Sequence, residues 1–230
     1  MKIIEKEQLN SNTYSLWIES GIRFFPGQFV QIKCGDETTL RRPISVCDVK
    51  GGAFRIVFSV RGKGTTWLAK CAVGEKLDII APLGNTYPEF EKKKIAIVGG
   101  GIGTPPMLYL AKKLAKNNDI TAVLGFRNES EVILKNEFEA VCETIITTDD
   151  KTVIDGLETD DFDVILACGP VPMYKAIEKL GKPTFVSLEE RMGCGFGACY
   201  GCSVRLSGEK EKYARVCHDG PVFNLAEVVL

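Results

Sequence analysis

The residues best equipped for chemistry lie together near the C-terminal end, in "MGCGFGACYGCSVRLSGEKEKYARVCHDG", residues 192–220. This stretch holds four of the chain's nine cysteines and six of its 23 glycines. The spacing is Cys194-x4-Cys199-x2-Cys202, with Cys217 after 14 intervening residues. A disulfide knot, a zinc staple and an iron–sulfur cluster all use thiols at such density. An odd cysteine count fits a fully paired disulfide framework poorly. Structural zinc sites favour two Cys-x2-Cys knuckles, whereas Cys217 stands alone. A Rieske centre needs two histidines, and His218 is the single histidine of the chain, so it reads as a solvated loop residue. Cys-x4-Cys-x2-Cys…Cys is the spacing of a plant-type [2Fe–2S] site, with zinc on four thiolates as the main competitor. Four sulfurs converge on so small a group only where the loop wraps tightly. Glycine permits that wrapping and lets backbone N–H groups face the sulfurs.

A second signal is "IAIVGGGIGTPPM", where a glycine-rich turn joins a strand to a helix. Gly99, Gly100, Gly101 and Gly103, with Ile102 between them, would bring backbone N–H groups close to a pyrophosphate at a helix N-terminus. The G-x-G-x-x-G fingerprint is not met, because Thr104 stands where its third glycine would be. "ACGP" (Cys168, Gly169, Pro170) falls at the carboxyl edge of a later strand, where open α/β sheets bind ligands. Cys168 by itself reads as a small buried residue. Two clusters lie nearer the N-terminus. "LRRPIS" sets Arg42 and Pro43 beside the hydroxyl of Ser45, and "VRGKGTTW" offers Gly62, Gly64, Thr65 and Thr66 to a phosphate. Taken singly, they read as an edge strand with solvated arginines and as a β-turn. Taken together, ahead of the glycine turn, they read as a second binding region.

These residues need elements to position them. Up to residue 91 the chain reads as short strands, "SLWIES", "QFVQIKC", "AFRIVFSV" and "EKLDIIAPLG", punctuated by glycine and proline, which predicts a small β-barrel. Only "GTTWLAKCA" carries a helical period there. From residue 92 the texture changes. "IAIV" predicts a buried parallel strand. Met107, Leu110, Ala111 and Leu114 recur at helical spacing opposite Lys112, Lys113 and Lys116, with Thr104 as expected N-cap and Pro105 at the first helical position. Strand "ITAVLGF", helix "EVILKNEFEAVC", strands "ETIITT" and "DVILACGP", helix "VPMYKAIEKLG" and strand "TFVSLE" follow. That alternation predicts a doubly wound parallel sheet. The last forty or so residues, 191–230, are too few to bury a core alone and need a metal or a partner surface. The expected fold class is therefore β plus α/β with a small C-terminal lobe.

Composition is that of an ordinary globular chain, 45% hydrophobic and 26% charged, and the net charge of -1 leaves no footprint for nucleic acid or an anionic membrane. Lys92-Lys93-Lys94 reads as a solvated strand entrance. "MKIIEKEQLN" has no signal-peptide core, and no run approaches the roughly 18 apolar residues of a membrane span. A cytoplasmic location, where thiols stay reduced, is expected.

On Arg42-Pro43-Ile44-Ser45, Gly62-Lys63-Gly64-Thr65, "GGGIGTPP" and "CGP", the chain resembles the ferredoxin-reductase superfamily over residues 1 to about 190. That resemblance implies an FAD-binding barrel (1–91) and a nicotinamide-binding α/β domain (92–190). FAD would contact Arg42–Ser45, with Gly64 and Thr65 at its pyrophosphate, and NAD(H) would use the two later motifs. With the lobe at 191–230, "SLEERMGCGFGACYGC" and "RVCHDGPVF" resemble the electron-transfer subunits of bacterial NAD-linked, two-subunit dihydroorotate dehydrogenases, over essentially the whole chain. This implies that Cys194, Cys199, Cys202 and Cys217 ligate a [2Fe–2S] cluster and that Val57, Phe58 and Ser59 add FAD contacts. Ser59 departs from the larger basic residue that the resemblance leads one to expect at that position. The implied path runs from NADH through FAD and the cluster to an FMN-containing catalytic subunit, in a heterotetramer of two of each subunit. It requires no acid–base pair in this chain. The small subunit of an electron-bifurcating NAD(P)H:ferredoxin oxidoreductase shares the layout, and a zinc-stapled, non-catalytic nucleotide-binding module is the alternative of another class. Arg127 would suit a 2′-phosphate, while Glu129 or Glu131 would suit ribose hydroxyls. NADH is expected from the resemblance.

Overall fold

The computed structural model of the chain describes residues 1–157, 161–208 and 211–230. The N-terminal part is a six-stranded antiparallel sheet of β1 (Lys2–Asn10), β2 (Thr13–Glu19), β3 (Phe29–Ile32), β4 (Arg42–Lys50), β5 (Ala53–Ser59) and β6 (Ile79–Leu83). Its order is β1-β2-β5-β4-β3-β6. The sheet closes into a barrel where the chain start meets the segment before β6. There Leu77 donates its N–H to the Met1 carbonyl (2.8 Å) and Ile3 donates to Glu75 (2.9 Å). Leu16, Ile18, Val30, Ile32, Val46, Phe54 and Ile56 fill the interior.

Two of these strands carry no clear period in the sequence. β1 is an edge strand exposed on both faces, with only Ile3 fully buried, so it lacks the apolar alternation of a half-buried strand. β4 is not the edge strand with solvated arginines that "LRRPIS" alone suggests, because β3 and β5 flank it. Its ladder to β5 ends at the Val46–Ile56 pair, so Pro43, which lacks an N–H, has a strand partner only in Gln31 of β3. "GKGTT" is likewise not a β-turn but the start of α1 (Lys63–Lys70).

The second sheet holds five parallel strands, β7 (Lys94–Gly100), β8 (Asp119–Gly125), β9 (Glu143–Thr147), β10 (Val164–Cys168) and β11 (Thr184–Ser187), ordered β11-β10-β7-β8-β9. Helices cover both faces. Ile95 and Ile97 of β7 pack with Met107 of α2 (Thr104–Leu114) and Phe138 of α3 (Lys135–Glu139). The alternate residues Ala96 and Val98 pack with Val153 of α4 (Val153–Leu157) and Tyr174 and Ile177 of α5 (Val171–Glu178). This is the doubly wound arrangement, and the strand order reverses between β7 and β10.

Local details differ from the sequence reading. "EVILKNEFEAVC" yields only the five-residue α3, because Leu134 takes a left-handed φ of 61°. Helix α2 is capped by Gly103, the end of a 3₁₀ turn, so Thr104 and Pro105 become its first two residues. It also buries Leu108 and Tyr109, because its second side lies on the barrel. Tyr109 donates its hydroxyl to the Phe24 carbonyl (2.9 Å), and Lys112 pairs with Asp48 (2.5 Å).

The C-terminal segment carries the hairpin β12 (Ser203–Arg205) and β13 (Tyr213–Arg215), and β14 (Val222–Asn224) adds antiparallel to β11. Met192, Cys202, Val216, Cys217, Phe223 and Leu225 enter the same core as Val98 and Tyr174. The parallel sheet thus supplies the surface that so short a segment needs. Among the described residues, no helix is long and apolar enough to cross a membrane.

Candidate functional site

The thiols converge in pairs. The loop from Gly193 to Gly201 wraps so that Cys194 donates its N–H to Cys199 Sγ (3.4 Å), while Cys194 Sγ accepts from Ala198 (3.2 Å) and Cys199 (3.4 Å). Cys217 donates its N–H to Cys202 Sγ (3.4 Å), and its own sulfur accepts from Gly197 (3.1 Å). Gly195 has a φ of 82°, which only glycine adopts cheaply. Backbone N–H groups therefore aim at all four sulfurs, two of them at Cys194 Sγ. Burial works against the Cys194 thiolate, yet hydrogen bonds from the Phe196, Cys199 and Ala198 backbone and the Cys199 side chain bring its pKa to about 6. Burial, reinforced by Cys202, pushes the Cys217 thiol up to about 12. Among the described residues, no three His, Cys, Asp or Glu side chains converge as ligands of one ion. Pairing two by two, 194 with 199 and 202 with 217, fits a two-iron group, whose irons each take two thiolates, better than a single zinc.

His218, about half exposed, sits in a polar knot, with Nδ1 2.8 Å from Asp219 and 3.2 Å from Arg215. It is not aimed at a sulfur.

A second site lies in the barrel. Beyond the Val46–Ile56 pair, Arg42–Ser45 of β4 and Val57–Ser59 of β5 diverge, although β5 stays paired to β2 as far as Ser59. The Arg42 side chain lies over the first turn of α1, so that a Cβ on Gly64 would fall 2.6 Å from its Nε. A guanidinium and a helix N-terminus thus face one corner, an arrangement suited to phosphate. Thr65 turns its hydroxyl back on that turn, accepting from Arg61 (2.8 Å) and donating to the Gly62 carbonyl (3.1 Å). Ile44, Val57 and Phe58 are buried, and the Ser59 hydroxyl lies 3.1 Å from that of Thr13.

The third site is a cleft of about 880 Å³ at the point where the parallel strand order reverses. Gly100, Gly101, Ile102 and Gly103 line one wall, and Gly169 and Pro170 line the opposite one. The two turns touch, since a Cβ on Gly103 would stand 2.2 Å from the Cys168 carbonyl oxygen. Gly99 lies beneath the turn against Thr104, and the Cys168 thiol is buried in the core, where burial raises its pKa. Neither side faces the cleft. Arg127 and Glu131 line it as an ion pair (3.7 Å). The sequence reading missed Asn10–Thr13 of the β1–β2 hairpin, Arg61, Thr147 and Lys151, which also line the cleft. No local motif marks them: Asn10–Thr13 and Arg61 reach this cleft from the barrel only through tertiary packing, while Thr147 ends β9 and Lys151 follows it.

A flavin-type antiparallel barrel, followed by a doubly wound nucleotide domain with its cleft at the switch point and a thiol-rich lobe, defines an iron–sulfur flavoprotein of the ferredoxin-reductase class. Ferredoxin-NADP+ reductase from Plasmodium falciparum shares the fold (TM-score 0.67, 16% identity, covering 83% of this chain and 90% of that one). The chain belongs to the family of dihydroorotate dehydrogenase B (NAD(+)) electron transfer subunits. It is 40% identical to the Geobacillus thermodenitrificans member over 100% of this chain and 98% of that relative, and 38% identical to the Caldanaerobacter subterraneus member over 99% and 97%. Residues 189–229 match the iron-sulfur cluster binding domain of dihydroorotate dehydrogenase B. A chain from the NADH-dependent reduced ferredoxin-NADP oxidoreductase structure, described for flavin-based electron bifurcation, superposes with a TM-score of 0.90 at 32% identity, covering 99% of this chain and 89% of that one.

Proposed function

We propose that this chain carries electrons from NADH, through FAD and a [2Fe–2S] cluster, to the FMN-containing catalytic subunit of a dihydroorotate dehydrogenase. Family membership supports the reading, and the observation that carries it is the two-by-two pairing of four thiols under backbone N–H groups. When bound, the flavin supplies the conversion between the two-electron hydride of nicotinamide and the one-electron steps of an iron–sulfur cluster.

The residues have correspondingly simple tasks. Cys194, Cys199, Cys202 and Cys217 hold the cluster, and the loop N–H groups stabilise charge on sulfur. Arg42, Pro43, Ile44 and Ser45, with Val57, Phe58 and Ser59, hold FAD at the opening of the barrel. Gly64 and Thr65 at the start of α1, with Arg42, take its pyrophosphate. Gly99–Gly103 and Cys168–Pro170 shape the NAD(H) cleft, with Gly100, Gly101, Gly169 and Pro170 in direct reach. No side chain of this chain is assigned a proton transfer, and dihydroorotate chemistry falls to the partner. We assign 1–91 to FAD, 92–190 to NAD(H) and 191–230 to the cluster. The assembly is a heterotetramer in the cytoplasm, a location that suits nine cysteines outside any disulfide.

A second reading is the small subunit of an electron-bifurcating oxidoreductase, favoured by the 0.90 superposition. The higher identity to the dihydroorotate dehydrogenase relatives and the match over 189–229 weigh against it. The test is anaerobic addition of NADH to the purified protein, followed by low-temperature EPR. A reduced [2Fe–2S] signal is expected. Absence of both flavin bleaching and the cluster signal overturns the electron-transfer reading, and zinc in place of iron by metal analysis supports the nucleotide-binding module.

A further inference from the structure

Gln31 is an anomaly in the middle of β3. Its neighbours Val30 and Ile32 are wholly buried β-branched residues, and Gln31 is equally inaccessible. Its Nε2 lies 3.7 Å from Met192 Sδ, a weak acceptor, and its Oε1 has no hydrogen-bond partner among the described residues. A buried carboxamide left half paired is unfavourable, and leucine would fill a similar volume without that cost.

The surroundings indicate why an amide is there. Gly195 lies flat against it, since a Cβ on that residue would stand 2.6 Å from Nε2 and 2.9 Å from Cδ. Met192 and Gly195 bracket Cys194, so the carboxamide touches the thiol loop on both sides of that cysteine. On the other side of the same residue, the Gln31 backbone pairs with Pro43. One side chain thus bridges the strand assigned to the flavin and the loop assigned to the cluster.

We propose that Gln31 is a positioning residue for electron transfer: it sets the Cys194 loop against the Arg42–Ser45 strand and reserves a polar atom for the loaded site. The inference rests on the assignment of FAD and [2Fe–2S] made above. An amide carries both a donor and an acceptor, so it contributes a hydrogen bond to whichever polarity the loaded loop presents.

The test uses the complete complex with its catalytic subunit, comparing wild type with Gln31→Leu and Gln31→Met. Iron and FAD content are measured first, then the EPR g-values of the NADH-reduced cluster and the reduced-to-oxidised ratio at a fixed ambient potential. Either variant is expected to bind FAD normally, with altered g-values and a ratio changed roughly fivefold, as one hydrogen bond's worth of free energy implies. Loss of iron with FAD retained also supports the role. Unchanged g-values and ratio in a fully loaded variant overturn it, as does joint loss of FAD and iron in both variants, which makes Gln31 a packing residue. A wild-type protein lacking iron would instead overturn the cluster assignment itself.

Discussion

Arg215 donates through Nη1 to the carbonyl of Gly197 at 2.9 Å, and the N–H of Gly197 in turn reaches Cys217 Sγ at 3.1 Å. The same guanidinium bonds Asp219 (3.1 Å) and covers the Tyr200 ring at 4.9 Å. The Gly197 carbonyl belongs to the Gly197–Ala198 peptide, whose N–H reaches Cys194 Sγ at 3.2 Å, so Arg215 orients a peptide that aims at a sulfur, as outer residues do at metal centres generally. Arg215→Ala should leave FAD in place but accelerate iron loss in air by about tenfold, within the range known for such supporting residues. Arg215→Lys should recover only part of this, because lysine cannot bond Gly197 and Asp219 together. Iron content and EPR amplitude against time are the measurements.

Gly103 allows the two turns of the cleft to touch, and the obstacle to a side chain there is the Cys168 backbone carbonyl, which cannot rotate away. Gly103→Ala should destabilise the protein by about 3 kcal/mol, as overpacking does at its upper end. For a chain of this size that lowers Tm by roughly 6–12 °C. Thermal unfolding and NADH titration of the flavin absorbance should both register the change.

Arg55, on the barrel, is 4% exposed and donates through Nη1 to both carboxylate oxygens of Glu137 on α3 (2.8 Å each), with Nε on Ser15 (2.7 Å). It joins the barrel to the nucleotide domain. Glu137→Gln leaves a buried guanidinium poorly compensated. With the Glu137 side chain 37% exposed, the cost should be about 2 kcal/mol, below the 3–5 typical of a fully buried pair. Replacing Arg55 and Glu137 together by Met and Leu should cost less than the sum of the single changes. A double-mutant cycle from urea unfolding decides this.

Arg41 reaches across to the residue before β6, donating to the Asp78 carboxylate (2.8 Å) and carbonyl (2.9 Å). The hydrogen bond from Arg41 holds the Asp78 carboxyl below its usual range. Its folded pKa lies under the unfolded value of 3.8, so the stabilisation is present above that pH and disappears as pH falls through the folded value. Wild type should exceed Asp78→Asn in stability at pH 7 by at most about 1 kcal/mol, as for exposed pairs. The two should converge in urea titrations below pH 3.

Much of the molecule is legible in its residues because the signals are local. A thiol spacing, a glycine turn between strand and helix, and a switch from period 2 to period 3.6 are each set by a few consecutive residues. Chain sequence therefore determined the barrel, the alternating sheet and the two turns at its switch point, and it marked four cysteines by their spacing. It was silent where partners lie far apart in the chain. "EVILKNEFEAVC" has helical spacing, yet Leu134 and the packing of Phe138 confine it to one short helix. The Arg42–Ser45 segment is paired with β3 and parted from β5, which no local motif shows.

Tertiary structure alone decided three features. It grouped the thiols as 194 with 199 and 202 with 217, it added β14 to the parallel sheet so that the lobe shares a core, and it set Gln31 between strand and loop. The last two join segments tens to more than a hundred residues apart, and such contacts form only when burial of the shared core outweighs the entropy of closing those loops.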